Sequence, residues 1–309
     1  MIVLVTGSRG YLGGAVVTAL REAGHEPVAY AGDVLDAGAL AAAVTGADGV
    51  VHLAALSRVG EAAADPERCR RVNADGTRTA LAAAVAETRR RRDPLRFVLS
   101  STAAVYGAAT STGPGGPIPE TAPDAPLGPY AVSKAEAESC VDEAWLEAGG
   151  ALGAAVLRIF NIAGAAGGRG DRDGTRLVPR VLRVAAGLEE HLEVYGDGTA
   201  VRDYVHVADA ARAVVLAFGQ AGPGTRRRFN VGATPASVLD VVAAAERVTG
   251  RPVAVVHRPG NAGEAPDLRA DTTAAREVLG WRPRWSELDR MVRDQWEYEQ
   301  GAWRVAHRP

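Results

Sequence analysis

Thr6-Gly7-Ser8-Arg9-Gly10-Tyr11-Leu12-Gly13 follows the apolar run Ile2-Val3-Leu4-Val5 and precedes a helical pattern from Leu12 to Ala23. Strand, glycine turn and helix in that order give a glycine motif its physical meaning. Gly7 permits a tight turn. Gly10 lets backbone approach a pyrophosphate at the helix N-terminus, where free N–H groups and the helix dipole favour an anion. Gly13 lets the helix pack close to the strand.

Outward from that turn, strand-like and helical patterns alternate. Val28 to Tyr30, Gly49 to Leu53, Arg96 to Ser100 and Ala154 to Phe160 read as strands; 37–45, 66–90 and 130–148 read as helices. Such alternation implies βαβ units. The expected fold is α/β, a doubly wound parallel Rossmann sheet with a smaller C-terminal α/β substrate domain. After Asn161 the texture changes. Gly164 to Gly174 is glycine-rich and charged and reads as a mobile loop. Beyond it, short strands at Val201 to Tyr204, Phe229 to Val231 and Val253 to Val256 mix with helices at 177–186, 207–218, 236–249 and 286–300. The expected division is residues 1–162 plus about 200–220 for the dinucleotide, and 163–199 plus 221–309 for the substrate, with a cleft between them.

The bulk numbers narrow the partners. The 309 residues carry 35 basic and 37 acidic side chains, a net charge of −2. No basic excess suits nucleic acid, and no charge block suits a membrane surface. Arg89 to Arg92 form the one basic run and close a helical pattern, where cations complement the dipole. Cys69 and Cys140 cannot build a disulfide framework and show no metal-ligand spacing. The chain opens on a core strand, so no signal peptide is expected, and no apolar run reaches membrane length. A cytoplasmic protein with no metal is the expectation.

Tyr130-Ala131-Val132-Ser133-Lys134 sets a tyrosine and a lysine four apart, on one face of a helix. A phenol of pKa about 10 is a poor base at neutral pH, but a neighbouring ammonium favours the phenolate, as does an oxidised nicotinamide. Ser100-Ser101-Thr102 ends an expected strand, where doubly wound sheets place function.

With these motifs together, the chain resembles the extended short-chain dehydrogenase/reductases, in the branch of nucleotide-sugar epimerases and dehydratases. Thr6 to Gly13 resembles the family's Thr-Gly-x-x-Gly-x-x-Gly. His52-Leu53-Ala54-Ala55 and Val59-Gly60-Glu61 resemble its fourth strand and the turn beyond. Val72-Asn73-Ala74-Asp75-Gly76-Thr77 and Ser100-Ser101-Thr102-Ala103-Ala104-Val105-Tyr106-Gly107 resemble its cofactor and catalytic segments. Leu157-Arg158-Ile159-Phe160-Asn161 resembles the segment whose asparagine touches substrate, Val201-Arg202-Asp203-Tyr204-Val205-His206-Val207 its Arg-Asp-Tyr-x-His-Val element, and Leu279-Gly280-Trp281 its C-terminal signature.

The resemblance implies an isomerase that uses NAD to invert C4 of a nucleotide-diphosphate sugar of the UDP-glucose/UDP-galactose type, through a transient 4-keto sugar. Tyr130 would be the base, Lys134 its electrostatic partner and Thr102 the bridging hydroxyl. NAD would meet Gly7, Arg9, Gly10, Tyr11, Leu12, Gly13, Asp33, Val34, Leu53, Ala54, Ala55, Asn73, Ser100, Tyr130 and Lys134. The sugar nucleotide would meet Thr102, Tyr130, Asn161, Arg176, Leu177, Arg202, Asn230 and Arg258, the arginines suiting a diphosphate. The resemblance also implies a homodimer paired through helices 66–90 and 130–148, an isologous contact.

Two departures from the family pattern stand out. The second strand ends Val28-Ala29-Tyr30-Ala31, without the acid that holds the adenosine ribose. Gly32-Asp33-Val34-Leu35-Asp36 resembles the element after the family's third strand, so that strand is expected to be missing or merged. Asp33 stands twenty residues after Gly13, within reach of the ribose role, and no arginine stands near for a 2′-phosphate. Second, Ala103 and Ala104 follow Thr102 where related dehydratases and decarboxylases place acids, which argues against those chemistries. An NAD(P)H-dependent 4-ketoreductase is the alternative, since it needs only the tyrosine, lysine and hydroxyl.

Overall fold

In the computed structural model, which describes residues 1–107, 116–260 and 265–306, the glycine turn joins β1 (Ile2–Thr6) to α1 (Tyr11–Glu22). The chain continues through β2 (Glu26–Ala29), α2 (Ala37–Val44), β3 (Gly49–His52), α3 (Val59–Ala64), α4 (Pro66–Arg70) and α5 (Gly76–Arg91). A single π-helical turn, Arg71–Asp75, joins α4 to α5. β4 (Leu95–Thr102), α6 (Gly128–Glu147) and β5 (Leu152–Ile159) complete the first half. The second half runs β6 (Asn161–Ala163), β7 (Ala165–Ala166), β8 (Arg169–Gly170), α7 (Leu177–Ala185), β9 (Leu192–Tyr195), β10 (Val201–His206) and α8 (Val207–Gln220). It ends with β11 (Arg226–Val231), β12 (Thr234–Ser237), α9 (Val238–Thr249), β13 (Val255–Arg258), β14 (Asp267–Leu268), α10 (Thr273–Val278) and α11 (Leu288–Ala306).

Six parallel strands form the main sheet in the order β11-β5-β4-β3-β1-β2. The two-residue period of a strand sends Val3 and Val5 to one face and Leu4 to the other. Val3 and Val5 join a core with Val16 and Leu20 of α1 and Phe218 of α8; Leu4 joins Leu40, Leu81, Phe97 and Val141 under α2, α5 and α6. Every residue of β5 is buried, as expected of a parallel strand covered on both faces. The strand order reverses between β1 and β3, and ligands of such sheets bind outside the carboxyl ends at that point.

A smaller body stands beside this sheet. β10 pairs with β12, β14 and β6, and Val181, Leu182, Val194, Val241, Met291 and Trp296 form a core with α7, α9 and α11. Two strands lie on the other side of the expected boundary. β11 is the sixth strand of the main sheet, in register with β5, although 221–309 was expected with the substrate. β10 lies in the small sheet, although about 200–220 was expected with the dinucleotide. The helix between them, α8, packs on α1 and the main sheet.

Two features differ from ordinary expectation for different reasons. β2 is the outermost strand; among the described residues nothing pairs with its outer side. The third strand is missing, replaced by the turn from Tyr30 to Asp36. Residues 164–174 are an anchored hairpin, β7 against β8, rather than a loose loop. Gly164, Gly167 and Gly168 take left-handed φ of 85°, 59° and 73°, so their freedom serves chain reversal. The Tyr11 hydroxyl donates to the Gly164 carbonyl, and Arg169 Nη1 donates to the Arg9 carbonyl at 3.3 Å. Gln295 of α11 brackets the Asp171 backbone, accepting its N–H at 2.9 Å and donating to its carbonyl at 2.8 Å. Among the described residues no helix is long and apolar enough to cross a membrane.

Candidate active site

The glycine turn is built for close approach. Gly7 has φ 65°, and a Cβ there would stand 2.7 Å from the Ala54 nitrogen. A Cβ on Gly13 would stand 2.1 Å from the Gly7 carbonyl oxygen. Gly10 is the N-cap of α1; no side chain caps that end and its first turn holds no acid. The N–H groups and the dipole there are left to an anion. Ser8 Oγ, buried beside the turn, has no partner within the described residues. These groups fit the diphosphate of a dinucleotide.

Beneath the turn, Thr6 locks the end of β3. Its hydroxyl accepts the Leu53 and Ala54 N–H groups, each at 3.2 Å, and so gives its own proton to His52 Nδ1 at 2.9 Å. Burial, with the Lys134 charge, holds His52 down to about 3, so the ring stays neutral.

The reacting groups stand at the end of β4. Thr102 closes that strand, and Tyr130 and Lys134 lie on successive turns of α6. Lys134 Nζ donates to the Ser100 carbonyl at 2.5 Å, and the Thr102 hydroxyl bonds the Tyr130 phenol. Burial raises the Tyr130 pKa, while the Thr102 hydrogen bond and the Arg176 charge oppose it. Burial lowers Lys134 to about 8 against the pull of Glu138. The Lys134 ammonium stands one helical turn from the phenol on the same cleft wall. Lys134 gives one of its three N–H groups to the Ser100 carbonyl, which leaves two for the cleft, and the Arg176 charge adds to the influences that favour the Tyr130 phenolate.

Lys134 is also the chain's single lysine beside 34 arginines. A guanidinium keeps its proton and spreads over a plane; a compact ammonium whose pKa can move is a different group. That count was a signal in the sequence for this position.

These elements wall one cleft of about 860 Å³. Gly7, Arg9, Gly10, Tyr11, Leu12, Gly13, Asp33, Val34, Leu53, Ala54, Ala55 and Ser100 line it with Tyr130 and Lys134. Thr102, Asn161, Arg176, Leu177 and Arg202 line its other side. Arg202 Nη1 donates to the Val201 and Ala265 carbonyls, each at 2.8 Å, and Arg176 meets Asp171 at 3.3 Å and Asp173 at 3.6 Å.

Three expected contacts lie elsewhere. Asn73, in the π-helical turn, takes the Leu56 N–H at 2.7 Å and donates to the Leu56 carbonyl and to Ser133 Oγ, so its amide ties loop to helix behind the cleft. Asn230 is fully buried; it accepts the Tyr106 hydroxyl at 2.7 Å and donates to the Ile118 carbonyl at 2.8 Å. Arg258 sits on β13, paired with Glu193 at 2.8 Å, away from the cleft lining.

The structure adds three wall residues that sequence reading passed over. Tyr204 is held up to about 12 by burial and bonds Asn161; it sat in the quoted Arg202-Asp203-Tyr204 segment. Asp171 and Gln295 also line the cleft, and they lie 124 residues apart with no local pattern to join them.

Comparison with known proteins agrees with this geometry. Residues 3–232 match the model of the NAD dependent epimerase/dehydratase family. The UDP-glucose 4-epimerase of Streptomyces lividans is 37% identical over 326 residues, covering 96% of this chain and 95% of that protein. That of Lacticaseibacillus casei is 33% identical over 332 residues, covering 97% of each. The UDP-glucose-4-epimerase of Stenotrophomonas maltophila, solved with bound NAD and formylated UDP-arabinopyranose, superposes with a TM-score of 0.88 at 31% identity, over 99% of both chains. The Brucella ovis UDP-glucose 4-epimerase in complex with NAD gives 0.87 at 32% identity, over 96% of this chain and 98% of that one. With the glycine turn, the Thr102–Tyr130–Lys134 arrangement and these matches over nearly its whole length, the chain belongs to the NAD dependent epimerase/dehydratase family.

Proposed function

We propose that this protein inverts C4 of a nucleotide-diphosphate sugar of the UDP-glucose/UDP-galactose type, using NAD. The observation that carries the reading is the Tyr130 phenol hydrogen-bonded to Thr102 on the wall of the cleft that begins at the glycine turn. NAD, held by the glycine turn and the N-terminus of α1, would supply the acceptor and donor for the C4 hydride. The remaining steps belong to the chain. Thr102 orients the C4 hydroxyl and Tyr130 takes its proton, leaving a 4-keto sugar. The sugar turns over in the cleft, and Tyr130 gives the proton back. Arg202, and Arg176 held by two carboxylates, face the diphosphate. The gain comes from holding the reacting atoms in register and away from water.

Ala103 and Ala104, after Thr102, offer no carboxylate for elimination. The test incubates purified protein with UDP-, dTDP- and GDP-sugars and catalytic NAD, and follows the C4 epimer by NMR. Interconversion without net cofactor change supports the reading. Reduced cofactor consumed mole for mole with a 4-keto sugar would mark a ketoreductase instead.

We further infer a homodimer through α5 and α6, which pack side by side on one face of the sheet. Ala82 and Ala86 are exposed on α5, small side chains that let a two-fold partner's helices approach closely. A monomer by light scattering at micromolar concentration would refute it. Both cysteines are free and buried, which supports a reducing, cytoplasmic setting.

A further inference from the structure

Tyr130, Lys134 and Glu138 follow one another at four-residue spacing, so the three side chains share one face of α6. The first two face the cleft. The third is a carboxylate only 1% exposed. Glu138 Oε1 accepts the Ser101 hydroxyl at 2.5 Å and Arg158 Nε at 3.0 Å. Its Oε2 accepts Arg158 Nη2 at 2.8 Å and Arg228 Nε at 3.1 Å. Ser101 stands in β4 between Ser100, whose carbonyl receives Lys134, and Thr102, whose hydroxyl meets Tyr130. Arg158 comes from β5 and Arg228 from β11. One carboxylate thus ties the helix to three neighbouring strands directly beneath the reacting groups.

The charges around Lys134 are few. Glu138 faces it from its own helix, the Cys69 thiol from α4, neutral His52 from β3 and the Ser100 carbonyl from β4. The Tyr130 phenol stands one turn away on the same helix, and among the described residues Glu138 is the one carboxylate acting on Lys134. The two arginines that bind Glu138 are themselves balanced, Arg158 by Asp124 at 2.7 Å and Arg228 by Asp142 at 2.7 Å.

We propose that Glu138 is a positioning residue for the reaction, setting the spacing of α6 from the end of β4 and serving as counter-charge to the Lys134 ammonium. The inference rests on the role given to Tyr130 above, with the Lys134 ammonium as the neighbouring charge that favours its phenolate.

The single lysine makes a direct test available. Protein labelled with 13C,15N-lysine shows one lysine side-chain signal, whose titration midpoint is read without turnover. Glu138→Gln keeps the shape and an acceptor oxygen but removes the charge. An ammonium without its counter-ion gives up its proton at lower pH. The Lys134 midpoint should therefore fall by about one unit or more. The alkaline limb of kcat/KM against pH should move down with it, and Glu138→Asp should bring both back toward wild type.

An unchanged midpoint, with activity lowered evenly at every pH, would overturn the proposal and leave Glu138 a packing residue. Should Glu138→Gln fail to fold because Arg158 is stranded, Glu138→Gln combined with Arg158→Met removes both buried charges. The fall is then read against Arg158→Met alone, since removing that cation by itself favours the charged lysine. Full turnover in Tyr130→Phe would defeat the functional reading instead, and the lysine midpoint does not depend on it.

Discussion

Tyr130 stands under opposed influences: burial holds its proton on, and the Thr102 hydroxyl and the Arg176 charge loosen it. The phenol is worth its place only if that proton moves. Replacing it by Phe should lower turnover by about 10²–10⁴, the scale of a lost general base. Sugar-nucleotide affinity, measured by calorimetry, should change little, because the ring stays. Turnover near wild type would remove Tyr130 from the mechanism. At this scale the sequence showed which groups have chemistry but not where their partners are. Tyr130, Lys134 and Thr102 were legible because helical spacing and a strand end place them. Asn230 was not, because its amide is spent on Tyr106 and Ile118, more than a hundred residues upstream. Arg176 lines the cleft where the sequence reading put it, but its charge acts on Tyr130 between the two bodies, which no local pattern shows.

Among the elements, the turn between β2 and α2 does the work of a missing strand. The Tyr30 hydroxyl donates to the Asp33 carbonyl at 2.9 Å, Asp33 Oδ1 accepts the Leu35 N–H at 3.0 Å, and Asp36 caps α2 through the Ala39 N–H at 2.9 Å. These bonds make a rigid corner whose Asp33 lines the cleft. One oxygen of that carboxylate is already committed within the turn. Asp33→Ala should weaken NAD binding by about tenfold, close to the loss of one charge-assisted hydrogen bond. Calorimetric titration of both proteins checks this, and equal affinity would take Asp33 out of the cofactor site. The glycine-rich hairpin teaches the converse lesson. Glycine and charge read as looseness in a sequence, but here the glycines turn the chain while Tyr11 and Gln295 pin it from outside and its own Arg169 reaches the Arg9 carbonyl. Each of these bonds joins the hairpin to a distant element, so no local window could show them. Helix bounds and the strands of the main sheet were legible because period and alternation are local; the assignment of β10 and β11 to their sheets was not.

Across the whole molecule, α11 joins the small body to the roof of the cleft. Gln295 donates to Asp171 and also to Glu299 Oε1, each at 2.8 Å. Burial lifts Glu299 from 4.5 to about 7. An acid with a raised folded-state pKa holds its proton more tightly in the native state, so the contribution of Glu299 to stability is fully present below about 4.3 and is lost as pH rises to about 7. Glu299→Gln should therefore melt roughly 2 °C or more above wild type at pH 8 and level with it near pH 4. A gain of the same size at both pH values would show that the charge is not the cause. The lost third strand has a further consequence, for association. In β2, Glu26 and Tyr30 point their N–H groups inward to the Met1 and Val5 carbonyls. Alternation turns positions 27 and 29 outward. Pro27 has no N–H, so the bare rim offers an approaching strand a single donor, at Ala29, and cannot zip to it. The sheet is finished by chemistry rather than by cover. Pro27→Val would restore the missing donor beside exposed Val28 and convert a rim into a template; on warming, that variant should form sheet-rich aggregates, seen by thioflavin fluorescence, at concentrations where wild type stays clear.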